Sequence, residues 1–343
     1  MEYAREISSG NAPPAQYEYR IRRNLHAAFN FYIGTLLAAQ GQGQRGVEWL
    51  EAGVQYEEKG LPSLVLLLEF LKRHGDVMKK PVVVFEETRP FLHFSEVPAM
   101  KEVRKQLVYQ FGHSLPAFDG AVRFMDIGCG DGSLTANVLT HLLKTGKVNR
   151  ISEVLLIDAS PAMIRMAEET VSNALPGVMI STENSRIQDC SSCISGHYDI
   201  AMSSLAYHHM PFEDKRIHLA RLKPRVDHFL LFDMEADHDT PEVYSPELAL
   251  SVYQTYGRMM DFVYSLDAPD DLLTSCIDSF LMTEVISILT EPRGVRTDYH
   301  MLRSQWHRLF KSTLGPEFSV FSDSACYADE YLTLFTMHYG RNQ

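Results

Sequence analysis

The spacing of apolar residues changes character along the chain. Ile21, Leu25, Ala28, Phe29, Tyr32 and Leu36 recur every three or four positions, the stripe of an amphipathic helix, and Gly41-Gln42-Gly43 ends it. A second helix is predicted from about Pro62, a good first-turn residue, through Leu64–Leu68 to His74-Gly75. Its apolar residues occupy nearly every face, so it should be buried against its neighbours. Pro81–Phe85 reads as a short strand and Lys101–Phe111 as another helix.

From Ala121 the pattern becomes strand, glycine turn, helix, repeated. Val122–Ile127 is a short apolar strand, residues 128–132 form a glycine turn, and Ser133–Leu143 places Leu134, Val138 and Leu142 on one helical face. Val154–Ile157 is the next strand, and Ser160-Pro161 supplies an N-cap and a first-turn proline for a helix through Val171. Val178–Ile180, Ile200–Met202 and Phe229–Phe232 are further strands, with a helix over 213–222 between the last two. This alternation predicts crossover units and a mostly parallel sheet. After Asp233 it stops: 246–264 and 271–289 read as helices, and Trp306–Phe310 leads into two strand-like runs, Phe318–Phe321 and Tyr331–Tyr339, an antiparallel end to the sheet.

The expected organisation is a helical cap region over 1–118, a Rossmann-like core over 119–234, a helical lid insert over 235–305 and strands over 306–343 that complete the sheet. At 343 residues the chain exceeds one minimal domain of about 150. Its 44 acidic against 32 basic residues give a net charge of −12 with no basic run, which argues against nucleic acid as a partner. The start, Met1-Glu2-Tyr3-Ala4-Arg5-Glu6, has neither a basic nor an apolar leader region, and Leu64–Leu68 falls far short of the roughly 20 apolar residues of a membrane span. Five scattered cysteines fit reduced thiols in a cytoplasm. The expectation is a cytoplasmic protein without a membrane partner, of unspecified oligomeric state.

The chemistry concentrates in Met125-Asp126-Ile127-Gly128-Cys129-Gly130-Asp131-Gly132, between a strand and a helix. Glycines at 128, 130 and 132 let the backbone turn sharply and approach a ligand, at the strand end where open α/β sheets bind them. Dinucleotide-binding domains use a similar turn, but here the third glycine follows the second by two residues rather than three, and an acidic residue precedes the first. Asp158, closing the second strand within Asp158-Ala159-Ser160-Pro161-Ala162-Met163, can accept hydrogen bonds from both hydroxyls of a ribose. Gln188-Asp189-Cys190, after the third strand, places a carboxylate where it can accept from an adenine amine.

Together these segments resemble the class I S-adenosylmethionine-dependent methyltransferases. Tyr198–Met210, with Ala206-Tyr207-His208-His209, is similar to that family's segment at the edge of the substrate site, and Phe229–Asp233 also fits. The resemblance covers about 121–234. It implies cofactor contacts from Asp126, Gly128, Cys129, Gly130 and Gly132, from Asp158, Ala159 and Met163, from Asp189 and Cys190, and from Ser203. Tyr207, His208 and His209 are the catalytic candidates, since a histidine with pKa near 6.5 can take a proton from an acceptor. One departure stands out: 30 residues separate Gly128 from Asp158, against about 20 in a minimal unit, and the excess is placed in a polar loop over 144–152.

The implied reaction is methyl transfer to O, N or C of a small molecule. An alternative on the same fold uses S-adenosylmethionine itself as substrate, as azetidine-2-carboxylate synthases do, releasing methylthioadenosine. A non-catalytic cofactor-binding module is a third reading, disfavoured because Asp126, Asp158 and Asp189 are all present. Cys190-Ser191-Ser192-Cys193 has zinc-type spacing but no second pair. Glu235, Asp237, His238 and Asp239 can join His208 and His300 around a metal, yet a solvated acidic loop is the commoner outcome, and no metal site is assigned. Arg293 or Arg296 can clamp a carboxylate or form a surface salt-bridge loop.

Overall fold

A computed structural model describes residues 2–10, 12–81, 87–190 and 194–342. Most of the Pro81–Phe85 strand expectation, and Cys193 of the Cys-x-x-Cys pair, lie outside the described residues. The chain divides into two compact units, one formed by 1–84, 89–98 and 236–299, the other by 85–88, 99–235 and 300–343.

The first unit is helical, and it joins segments far apart in sequence. His26–Ala39 is apolar on nearly every face and is buried on most of them, whereas Ser63–Arg73 keeps Leu64, Leu67, Leu68 and Leu71 on its buried side. The hydroxyl of Ser63 donates to the carbonyl of Tyr253 at 2.6 Å, His93 Nε2 lies 3.0 Å from the carbonyl of Val263, and Arg73 makes a two-pronged ion pair with Asp278 at 2.9 and 2.7 Å. These contacts tie the N-terminal helices to Pro246–Val263 and to the run Asp270–Thr290, whose middle, Cys276–Leu281, is π-helical. Asp270–Thr290 is long and apolar enough to cross a membrane, with mean hydropathy 1.6, but 72% of it is buried, as in a core helix. Helix Gly43–Val54 also belongs here; Gly43, Gly46 and Gly53 hid it from the periodicity reading.

The second unit holds a seven-stranded sheet: β1 (Phe118–Ile127), β2 (Val148–Ile157), β3 (Met179–Glu183), β4 (Tyr198–Ser204), β5 (Val226–Met234), β6 (Phe318–Ala328) and β7 (Thr333–Arg341), in the order β3-β2-β1-β4-β5-β7-β6. The first five are parallel, and β7 runs antiparallel between β5 and β6. This is the expected Rossmann-like methyltransferase sheet, with its antiparallel C-terminal strand. Its core packs Met125, Ile127, Ala201, Phe229, Leu231, Phe335 and Met337 with Trp306 and Phe310. The strands run longer than their apolar centres. Residues 148–152, expected as loop, are the first half of β2, paired from Val148 onward with a β1 that starts at Phe118. Val148 and Ile151 are buried while Asn149 and Arg150 between them are exposed, so the outer half lacks the continuous apolar run that marked the strand's inner half.

Candidate functional site

β1 delivers its last residues into the glycine turn. The N–H groups of Gly128 and Cys129 both donate to the carbonyl of Ile157, at 2.8 and 3.0 Å, which pins the turn to the end of β2. Gly128, Gly130 and Gly132 all have positive φ, at 76°, 53° and 74°, a region that glycine enters without penalty. The turn then caps helix Ser133–Lys144, with Asp131 Oδ1 accepting from the N–H and hydroxyl of Ser133 at 3.2 and 2.7 Å, and Arg104 donating to Ser133 Oγ at 3.1 Å.

Asp158 closes β2 and braces the same turn. One carboxylate oxygen accepts from the N–H of Gly130 at 3.0 Å and the other from the N–H of Ser160 at 2.8 Å. Ser160 Oγ in turn accepts from the N–H of Met163 at 3.3 Å, the expected cap of helix Pro161–Ala174. Burial raises the Asp158 pKa, and its two N–H donors and the nearby His209 work against that rise. Asp158 is half-buried and Ala159 exposed, so this corner is open; Met163 is buried.

Asp126 is placed differently from the expectation. It is 1% exposed, one oxygen accepts from the Thr135 hydroxyl, and the other has no hydrogen-bond partner. Burial pushes its pKa up to about 7. The carboxylate lies inside the unit, joining β1 to the first turn of the following helix. Cys129 is buried and its thiol pKa is pushed well up by burial, which suits packing rather than nucleophilic work. Asp189 is exposed on the short helix Ile187–Cys190 and pairs with Arg186 at 3.0 Å, while Cys190 is buried. Ser203 is fully buried in β4 between Ile127 and Leu231.

Beyond β4 the chain turns through Leu205, whose φ of 48° is strained for a side chain of its size. The N–H of Leu205 donates to the carbonyl of Phe232 at 2.8 Å, which holds that turn against β5 and launches the 3-10 turn Tyr207–His209. The three catalytic candidates then part company. Tyr207 is fully buried against Phe229 and Trp306, and burial raises its phenol pKa, so its side chain packs in the core. His208 is buried with Nδ1 at 2.9 Å from Asp233 Oδ1 at the end of β5, and its ring stacks on His300 at 4.1 Å between centroids. His209 is half-buried.

Sequence reading missed the pairing with Asp233. Two of the acidic residues after β5 that were weighed as metal ligands have other partners: Glu235 Oε1 accepts from the N–H of Arg303 at 3.3 Å, and Asp237 Oδ1 from the N–H of Thr240 at 3.0 Å. Arg296, 4% exposed, donates to the carbonyls of Glu291 and His238 at 3.2 and 2.7 Å, bracing its own loop.

Residues 124–226 match the family model described as a methyltransferase domain. No curated protein sequence matches the chain. Among solved structures, SCL7 of Oryza sativa aligns over 89% of this chain and 99% of its own at 12% identity, with a TM-score of 0.57, a likeness of fold. Magnesium protoporphyrin IX methyltransferase of Synechocystis aligns over 74% and 91% at 13% identity with a TM-score of 0.40, and the cyclopropane synthase MmaA2 of Mycobacterium tuberculosis over 71% and 84% at 11% with 0.42. The family match over residues 124–226, within a sheet of this strand order, identifies that segment as a methyltransferase domain of the class I S-adenosylmethionine-dependent superfamily.

Proposed function

We propose that the protein transfers the methyl group of S-adenosylmethionine to a small molecule by direct displacement, in the cytoplasm. The observation that carries this reading is the Asp158 carboxylate, half-buried at the end of β2, gripping the Gly130 N–H while the strand-end histidines follow β4 on the same edge of the sheet. The residues present fit the cofactor: Asp158 offers oxygens to ribose hydroxyls, the positive-φ turn leaves backbone room for the methionine portion, and exposed Asp189 can turn to an adenine amine. When bound, S-adenosylmethionine supplies a methyl group on a sulfonium that departs as the thioether of S-adenosylhomocysteine.

Direct displacement needs no covalent enzyme intermediate, so the protein's contribution is alignment of acceptor and donor and removal of the acceptor's proton. His209, half-buried and near Asp158, is the group we assign to that proton. A polyanionic acceptor such as nucleic acid fits poorly with the net charge of −12. Among the described residues Cys129, Cys190, Cys276 and Cys326 form no disulfide.

The test is mass spectrometry of the purified protein with S-adenosylmethionine alone and then with a panel of small acceptors. S-adenosylhomocysteine that appears only with an acceptor is the expected result. Methylthioadenosine with a four-membered amino acid, formed without any acceptor, would replace methyl transfer by intramolecular cyclisation; no turnover and tight binding would leave a cofactor-binding module. On the site itself, Asp158→Ala should weaken S-adenosylmethionine binding by about 1–3 kcal/mol, the loss of a charged hydrogen bond, so calorimetry should read roughly a 5- to 150-fold rise in Kd. An unchanged Kd would remove the ribose from this corner.

A further inference from the structure

We propose that His208, Asp233 and His300 hold one divalent transition-metal ion at the strand ends of the sheet unit. One donor comes from the turn after β4, one from the end of β5, and one from the segment that returns the chain to the unit, so the cluster assembles only when the sheet is folded. All three residues are buried, at 4%, 0% and 2% exposure. One ligand atom from each lies within 4.8 Å of the other two.

Two observations point to a cation rather than to a hydrogen-bonded pair alone, and a third is compatible with either. Asp233 Oδ1 accepts from the N–H of Met234 at 2.8 Å and lies 2.9 Å from His208 Nδ1, but Asp233 Oδ2 is buried with no hydrogen-bond partner. A carboxylate oxygen stranded in the interior is expensive, and a positive ion between the three donors removes the deficit. The 2.9 Å separation suits an N–H···O bond, and it equally suits two adjacent ligand atoms each about 2.1 Å from one ion. The His208 and His300 rings stack at 4.1 Å between centroids, so a second imidazole stands beside the His208–Asp233 pair with a ligand atom within 4.8 Å of both, and such nitrogens are the preferred donors for later divalent metals.

Two imidazoles and a carboxylate select zinc, iron(II), cobalt(II) or manganese(II) over magnesium or calcium, which favour oxygen-only sets. Three protein ligands leave coordination positions open, and the chemistry they suit is an oxygen acceptor bound as its alkoxide or phenolate. That role rests on the methyltransferase reading and names its acceptor class, a hydroxyl compound; the metal site itself does not depend on it. His208 then acts as a ligand, and His209 remains the residue that takes the proton.

The experiment uses the full chain after chelator treatment and buffer exchange. Titration with zinc chloride by calorimetry, and with cobalt(II) chloride followed by its visible absorption, should show one ion per chain. Asp233→Asn and His300→Gln, with circular dichroism confirming the fold, should each weaken zinc binding by about 100-fold or more. His197→Ala, which removes an exposed histidine paired with Asp227 at 2.7 Å, should leave stoichiometry and affinity unchanged. No saturable binding by the wild-type chain, or binding that survives both ligand substitutions, overturns the site. S-adenosylmethionine affinity, measured on the same samples without metal, reports separately on the cofactor site, so the two readings fail independently.

Discussion

Gly132→Ala is expected to lower stability by about 2–5 kcal/mol and to weaken S-adenosylmethionine binding with it. Gly132 has φ 74° and ψ −3°, and it is the last residue before helix Ser133–Lys144. A Cβ there would stand 2.7 Å from the Cα and 2.9 Å from the carbonyl oxygen of Ala167, on the buried face of helix Pro161–Ala174. Those atoms are backbone and cannot rotate away. Two penalties therefore combine: about 1–2 kcal/mol for left-handed backbone at a residue with a side chain, and about 1–3 kcal/mol for overpacking. Against a total of about 5–15 kcal/mol this is a large share. Gly146→Ala separates the two, because its φ is 70° and a Cβ would meet nothing within 4 Å. Urea unfolding should give a midpoint well below wild type for Gly132→Ala and a smaller drop for Gly146→Ala, with slopes unchanged. Equal drops would show that the helix contact contributes nothing.

That glycine illustrates what was legible in the sequence. The turn announced itself through residue types that few other structures require, and Asp158 could be placed because β2 ends on a short apolar run just before it. The mostly parallel sheet followed from the alternation of strands and helices, and the turn's position at a strand end followed from the apolar run just before it. What the sequence hid is of two kinds. Where apolar runs give way to consecutive exposed polar residues, as at Asn149 and Arg150, the outer half of a strand looks like a loop until its pairing is known. Contacts between distant segments leave no local signal at all: Asp233 meets His208 across 25 residues, and Ser63 meets Tyr253 across 190. Side-chain direction was equally invisible, so three consecutive residues, Tyr207, His208 and His209, carried one expectation. A single 3-10 turn sends the first into the core and the second to Asp233, and leaves the third half-buried.

Asp126→Asn should change the pH dependence of stability more than any other single substitution in the turn. The folded-state pKa of Asp126 is raised to about 7 from an ordinary 3.8, chiefly because burial disfavours the charged form. The sign follows from proton linkage. Below about pH 4 both folded and unfolded chains hold this proton, and its contribution is fully present. Between about 4 and 7 the unfolded chain has released the proton while the folded chain keeps it, so stability falls as pH rises; above about 7 the loss is complete. The gap corresponds to about 4 kcal/mol at full effect. Asparagine cannot ionise and removes that dependence. Its amide also brings an N–H₂ to the position of the oxygen that has no partner, an offset of about 1–3 kcal/mol that applies at every pH. The difference between pH values is therefore the diagnostic quantity. Urea midpoints of wild type and variant at pH 5 and pH 8 should diverge in favour of the variant as pH rises, whereas parallel curves would mean that Asp126 is ionised in the folded protein and that the Thr135 hydroxyl stabilises its charge more than burial opposes it.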